Sequence, residues 1–201
     1  MLYGEAATGK SILSMQCSLE AARQGCKVFY LDSDQSFTAK RMEHLAKDSV
    51  VAERIVLFQP DDFEEQGRIV ESIEGLLSKT PTLLVVDSVT GLYRASQAAI
   101  QDNFVRDREL NHQIARLHSL ANRFSVWVLL TGQVHSSPER GEWIIEPVAE
   151  RTLRHWSDSI LRLSQTPKQS VRDCFVEKMN GLEVMGGHSF FRITEDGIED
   201  T

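Results

Sequence analysis

Two glycines, a lysine and a hydroxyl fall at fixed offsets in Gly4-Glu5-Ala6-Ala7-Thr8-Gly9-Lys10-Ser11, matching G-x-x-x-x-G-K-[ST] at every fixed position. The chemistry these types serve is the grip on a nucleoside triphosphate. Glycines let successive backbone N–H groups approach phosphate oxygens without a side chain in the way. Lys10 supplies a point charge for the β- and γ-phosphates, and Ser11 offers an oxygen to Mg²⁺. Such a loop has to open a helix, whose N-terminal partial charge favours an anion. Ile12, Leu13, Met15 and Leu19 continue without Gly or Pro as far as Gly25, which is consistent with that helix. The expected binding set therefore runs from Gly4 through Glu5, Ala6, Ala7, Thr8, Gly9, Lys10 and Ser11 to Ile12.

A second carboxylate completes the pattern. Leu83-Leu84-Val85-Val86-Asp87 is an apolar run ending in an acid, at the end of a strand where α/β proteins place their ligands. Asp87 is the candidate to hold Mg²⁺ opposite Ser11. Hydrolysis would also need a group that orients water. Asp32, Asp34 and Gln133 stand at the tips of neighbouring apolar runs, and on residue type alone none is preferred.

The elements around these residues alternate. Short apolar runs at 27–32, 54–59, 82–87 and 126–131 read as strands, with helical periodicity at 36–47, 69–77 and a long stretch ending near Arg123. Runs apolar on both faces, alternating with helices, predict an α/β fold with a mostly parallel central sheet. Only Met1, Leu2 and Tyr3 precede the loop, so the first strand is expected to be cut short. Beyond Gln133 a polar, turn-rich segment to residue 147 precedes a short helix. Strand-like runs at 159–163, 171–178 and 189–194 then suggest C-terminal antiparallel strands, separated by turns at Pro167, Gly181 and Gly186-Gly187.

Size and charge bound the rest. A chain of 201 residues with 41% hydrophobic content suits one domain over 1–201 with a substantial core. No apolar run is long enough to span a bilayer, and the start reads as a nucleotide loop rather than a signal peptide. Cys17, Cys26 and Cys174 are odd in number and lack metal spacing, which fits a reducing cytoplasm. A net charge of −7 argues against binding nucleic acid through bulk electrostatics.

With these motifs in hand, the sequence resembles the RecA/RadA recombinase family across its whole length, most closely the archaeal RadB paralogues. The resemblance rests on the phosphate loop, on Tyr30-Leu31-Asp32-Ser33-Asp34-Gln35-Ser36-Phe37, on Val85-Val86-Asp87-Ser88-Val89-Thr90-Gly91-Leu92-Tyr93-Arg94 and on Thr131-Gly132-Gln133-Val134-His135. Its RadB character comes from Leu57-Phe58-Gln59-Pro60-Asp61-Asp62-Phe63-Glu64-Glu65-Gln66, Glu146-Pro147-Val148-Ala149-Glu150-Arg151-Thr152-Leu153 and the ending Phe191-Arg192-Ile193-Thr194-Glu195-Asp196-Gly197-Ile198-Glu199-Asp200.

What the resemblance implies is a RecA-like P-loop NTPase core that uses ATP and Mg²⁺ in DNA repair and homologous recombination. It implies a weak ATPase or nucleotide-gated mediator that binds DNA, single-stranded in preference. Its implied partners are the main recombinase RadA and the Holliday junction resolvase, with self-association as a homodimer. The family's water-orienting glutamate falls on Asp34, one methylene shorter, so hydrolysis should be slow. The arginine that stacks on adenine falls on Arg41, and Gln133 matches the γ-phosphate sensor, although Gly132 replaces the usual Asn. The DNA-facing loops fall near 95–103, flanked by Arg94, Arg106 and Arg108, and near 134–146, where Glu139, Glu142 and Glu146 offset His135 and Arg140. With Trp143 as the sole ring there, DNA contact should be weak and salt-sensitive. The helix-hairpin-helix domain and Phe-x-x-Ala segment of the recombinases are missing from this sequence, and full RadB proteins begin earlier. Two other readings stay open: a KaiC-like regulatory ATPase without DNA binding, and a small-molecule phosphotransferase, for which no Arg-rich lid is seen.

Overall fold

The computed structural model describes residues 1–46, 49–98, 102–124, 126–139 and 142–201. The phosphate loop is flanked by the two elements it needs. β1 (Leu2–Gly4) enters it and α1 (Lys10–Arg23) leaves it, with Gly9 left-handed at the N-cap. The three residues of β1 suffice because they pair on both sides, Leu2 and Tyr3 against Thr131 and Gly132, and Leu2 to Gly4 against Leu161 to Leu163. Both side chains are buried, so this strand sits in the middle of the sheet.

The other parallel strands are β2 (Lys27–Asp32), β3 (Ile55–Phe58), β4 (Thr82–Asp87), β5 (Trp127–Gly132) and β8 (Ile160–Gln165). Three antiparallel strands extend the sheet beyond β8: β9 (Val171–Met179), β10 (Leu182–Thr194) and β11 (Gly197–Asp200). Among the described residues the sheet has nine strands in the order β11-β10-β9-β8-β1-β5-β4-β2-β3. The expected α/β class and the C-terminal antiparallel strands are thus both present.

Alternation along each strand decides which helices cover which face. Val28, Tyr30, Leu83 and Val85 pack with Met15 and Leu19 of α1 and with Met42 and Leu45 of α2 (Ala39–Ala46). Phe29, Leu31, Leu84 and Val86 pack on the other face with Val70 of α4 (Phe63–Ser72) and with Leu110, Ile114, Leu117 and Leu120 of α6 (Asn103–Phe124). Between the short α3 (Ser49–Ala52) and α6 lies α5 (Gly91–Ala95), and α7 (Glu150–Trp156) follows a separate hairpin. Among the described residues no helix is long and apolar enough to cross a membrane.

Three segments differ from the sequence expectation. The stretch after Gln133 forms an antiparallel hairpin, β6 (Val134–Glu139) with β7 (Glu142–Pro147), in which Val134 faces Pro147 and Ser136 faces Ile145, and Val134, Trp143, Ile144 and Ile145 supply the strand-favouring residues. The helix expected from Ser36 begins at Ala39, since Asp32 accepts the backbone N–H groups of Ser36 and Phe37, each at 2.9 Å, and holds those residues in a turn. Gly186-Gly187 marks an irregularity inside β10 rather than a turn between strands. Gly186 has φ 52°, and a Cβ there would lie 2.6 Å from the Phe175 ring.

Candidate nucleotide site

The ends of β1, β2, β4 and β5 and the start of α1 surround a cleft of about 750 Å³, lined by Gly4, Ala6, Ala7, Gly9, Lys10, Ser11 and Ile12 of the loop. Steric room at the loop depends on its first glycine. Gly4 has φ 155°, and a Cβ there would meet the Leu163 carbonyl oxygen at 2.1 Å. The cradle left open by Gly4 and Gly9 fits a phosphate group, which needs main-chain approach without side chains. Thr8 is fully buried and donates to the Glu5 carbonyl at 2.8 Å, so it shapes the loop from behind and does not line the cleft. Glu5 likewise contributes its carbonyl, which accepts from Lys10 Nζ at 2.7 Å, while the Gly4 carbonyl accepts at 2.8 Å. Burial lowers the Lys10 pKa, opposed by Asp87, Asp34 and Glu5.

Asp87 closes the end of β4 and is 1% exposed. Its two oxygens accept from Tyr30 Oη at 2.8 Å and Thr131 Oγ1 at 2.5 Å. These bonds fix the carboxylate while each oxygen keeps a lone pair for a cation or its water. Burial foremost, then Asp87 itself, pushes the Tyr30 phenol far up, so Tyr30 stays a donor. Ser11 and Asp87 both line the cleft, as a shared Mg²⁺ requires.

The three candidate strand-tip groups separate in the structure. Asp32 is fully buried, and its carboxylate is occupied by the Ser36 and Phe37 amides and by Gln59 Nε2 at 3.0 Å, so it is a structural residue. Asp34 and Gln133 instead meet at the cleft. Gln133 Nε2 donates to the Asp34 oxygens at 3.1 and 3.2 Å, and Ser88 Oγ donates to them at 3.0 and 2.9 Å. Gln133 Oε1 accepts from Arg94 Nη1 at 3.0 Å. Although Asp34 is open to solvent on one side, desolvation by the site raises its pKa; the Ser88 and Gln133 bonds oppose this, and Asp87 and Asp32 reinforce it. Arg41 is exposed on α2 and lines the same cleft.

Sequence reasoning passed over Ser88, Gly91, Arg172 and Ile193. Gly91 admits Asp34, since a Cβ there would lie 2.0 Å from Asp34 Oδ1. Arg172 and Ile193 reach the cleft from β9 and β10, far along the chain, and no local pattern marks them. The residues expected at the DNA-facing loops divide. Arg94 is bonded to Gln133, and Arg106 is 5% exposed, its guanidinium carbon 5.0 Å from the centre of the Tyr93 ring, so it is withdrawn from any surface ligand. Arg108 and His135 are exposed, His135 lying 3.9 Å from Glu146. Arg140 lies outside the described residues; Trp143 stands on β7 opposite Pro138.

The family model described as Rad51 matches residues 1–201. The DNA repair and recombination protein RadB of Thermococcus onnurineus is 35% identical over 99% of this chain and 87% of that protein. RadB of Methanoculleus marisnigri is 35% identical over 98% of this chain and 86% of that protein, and RadB of Pyrococcus furiosus 31% identical over 99% and 85%. A crystal structure of the RadB recombinase aligns with a TM-score of 0.80 at 33% identity, covering all of this chain and 89% of that one.

Proposed function

The chain belongs to the Rad51 family, in the RadB group of DNA repair and recombination proteins, and from that premise we propose that it is an ATP-binding, nucleotide-gated mediator of recombination. The observation that carries this reading is the arrangement of the cleft. The main-chain cradle, Lys10, Asp87 and the hydrogen-bonded Asp34–Gln133 pair all line one cleft, a set that suits a triphosphate with its cation. On this reading Gly4 to Ile12 would hold the phosphates, Ser11 and Asp87 would hold Mg²⁺, and Arg41 would pack on the adenine. Mg²⁺, when bound, would supply neutralisation of the phosphate charge.

Gating follows from connectivity. Gln133 is bonded to Asp34 at the cleft and leads directly into the β6–β7 hairpin, while Arg94, its other partner, lies in α5. A γ-phosphate competing for the Gln133 amide would shift the hairpin, and with it the contacts to DNA. Asp34 orients water from a short side chain, so turnover is slow and binding is the working signal. The partners on this reading are single-stranded DNA, the main recombinase and the Holliday junction resolvase. With a net charge of −7, DNA contact is local and falls steeply with salt.

The test is retention of radiolabelled ATP by the wild type and by Lys10→Ala, followed by gel shifts on single-stranded DNA with and without Mg-ATP. Loss of ATP in Lys10→Ala and a shift that depends on nucleotide support the reading. Equal retention by both proteins defeats the site assignment, and no retardation at low salt with Mg-ATP defeats the DNA role.

A further inference from the structure

The phosphate loop is held from a part of the fold that takes no part in the motifs around it. Arg172 Nε, on β9, donates to the Ala7 carbonyl at 3.0 Å, and Gln165 Nε2, at the end of β8, donates to the Ala6 carbonyl at 3.3 Å. The guanidinium is anchored in turn, with Nη1 donating to the carbonyls of Gln169 at 2.6 Å and Val171 at 3.0 Å. Ala7 needs an external hold because its φ of 60° is left-handed, a conformation that an alanine adopts only at a cost. A trans peptide points its N–H opposite its C=O. Fixing the carbonyls of Ala6 and Ala7 toward the antiparallel extension therefore turns the N–H groups of Ala7 and Thr8 away from it. The same arginine lines the cleft, as Lys10 and Ser11 do. The extension also closes over the loop, with Ile193 Cδ1 lying 3.0 Å from where a Cβ on Gly9 would be.

We propose that Arg172 is a positioning residue for the triphosphate site, acting through the Ala7 carbonyl to set the phosphate loop in its binding conformation. The proposal rests on the ATP reading above and names a residue that the loop motif does not contain. It makes the C-terminal antiparallel strands a working part of the nucleotide site. Lysine cannot replace Arg172 here, since one rotatable ammonium does not reproduce a planar fork that spans three carbonyls.

The experiment compares wild type, Arg172→Lys, Arg172→Ala and Lys10→Ala by calorimetric titration with Mg-ATP and Mg-ADP, and by thermal melts with and without nucleotide. Both Arg172 variants should bind each nucleotide about tenfold more weakly, the loss expected for a charge-assisted hydrogen bond. Their melting temperatures without nucleotide should stay within about 2 °C of wild type, while the nucleotide-induced rise shrinks. Wild-type affinity in either variant overturns the proposal. So does a lowered melting temperature with unchanged affinity, and so does failure of both variants to fold, since each outcome makes Arg172 a fold element only. If the wild type itself binds no nucleotide, the ATP reading falls. If Lys10→Ala loses binding and the Arg172 variants do not, that reading stands and this proposal alone fails.

Discussion

The side-chain amide of Gln133 donates to both oxygens of Asp34, at 3.1 and 3.2 Å, although the two residues lie 99 positions apart in the chain. Ser88 reaches the same carboxylate, so Asp34 is held by two donors from two different strand ends. A carboxylate fixed in this way is suited to orient water at the γ-phosphate. Asp34→Asn should lower Mg-ATP turnover by about 10²-fold, the lower end of what a positioned acid–base group contributes. Binding of Mg-ATP should change less than about threefold, because the cradle and Lys10 are untouched. Single-turnover phosphate release beside equilibrium binding measures both, and unchanged turnover would remove Asp34 from the mechanism.

Gly91 tests the same carboxylate without altering it. A Cβ at this position would sit 2.0 Å from Asp34 Oδ1 and 3.0 Å from Ser88 Oγ, so Gly91→Ala has to push the carboxylate aside. Turnover should fall to within about threefold of the Asp34→Asn level, since misplacement by about an ångström can cost as much as removal. Destabilisation of about 1–3 kcal/mol is expected from the overpacking, read as a shift in the urea midpoint. A Gly91→Ala protein with wild-type turnover would mean that the position of Asp34 does not matter.

The pH dependence of stability follows from the direction of the Asp34 shift. Desolvation is its largest cause; the Ser88 and Gln133 hydrogen bonds oppose it, while Asp87 and Asp32 add to it. A raised carboxyl pKa means that the folded state holds the proton more tightly than the unfolded chain does. Ionisation therefore costs the folded protein, and stability is lost as pH rises from the ordinary carboxyl pKa through the raised one. Asp34→Asn removes that cost. The variant should melt higher than wild type at pH 7, and the difference should shrink as pH falls toward about 4, where an ordinary aspartate begins to protonate. Melting curves from pH 7 to 3.5 decide this, and a difference that grows toward acid would reverse the assigned sign.

How much of this was legible in the sequence depends on how local the determinant is. The loop from Gly4 to Ser11 and the apolar strand ending at Asp87 are contiguous, so residue type and spacing carried them. The alternation of apolar strands with helices likewise carried the parallel sheet, because a strand buried on both faces cannot hide its composition. Residue type and position alone do not tell Asp32 from Asp34, and only the family resemblance favours Asp34. Both end the same apolar run, and only the turn that brings the Ser36 and Phe37 amides onto Asp32 removes it from the site. Arg172 and Ala7 are 165 residues apart, so their contact exists only once β9 is paired beside β8. The β6–β7 hairpin was hidden by its polar composition, which reads as loop until the register pairs its two ends.

The entry to the loop provides the sharpest test of the cradle itself. Gly4 ends β1 with φ 155°, pairs with Leu163, and gives its carbonyl to Lys10 Nζ at 2.8 Å. A Cβ on Gly4 would be 2.1 Å from the Leu163 oxygen, 3.0 Å from its carbonyl carbon and 3.1 Å from Thr8 Oγ1. Two of these are backbone atoms of a central strand and cannot rotate away, so Gly4→Ala must part β1 from β8 or shift the loop. Either response moves the carbonyl that holds Lys10. The variant should lose about 2–4 kcal/mol of stability, combining overpacking with an unfavourable φ, and should bind Mg-ATP at least about tenfold more weakly. Gly25→Ala is the matched control, having φ 89° but nothing within 4 Å of its Cβ position. It should lose only the conformational part, about 1–2 kcal/mol, and keep wild-type nucleotide affinity. Urea unfolding and calorimetric titration of both variants separate the contributions, and equal behaviour of the two would show that close packing at Gly4 does not shape the site.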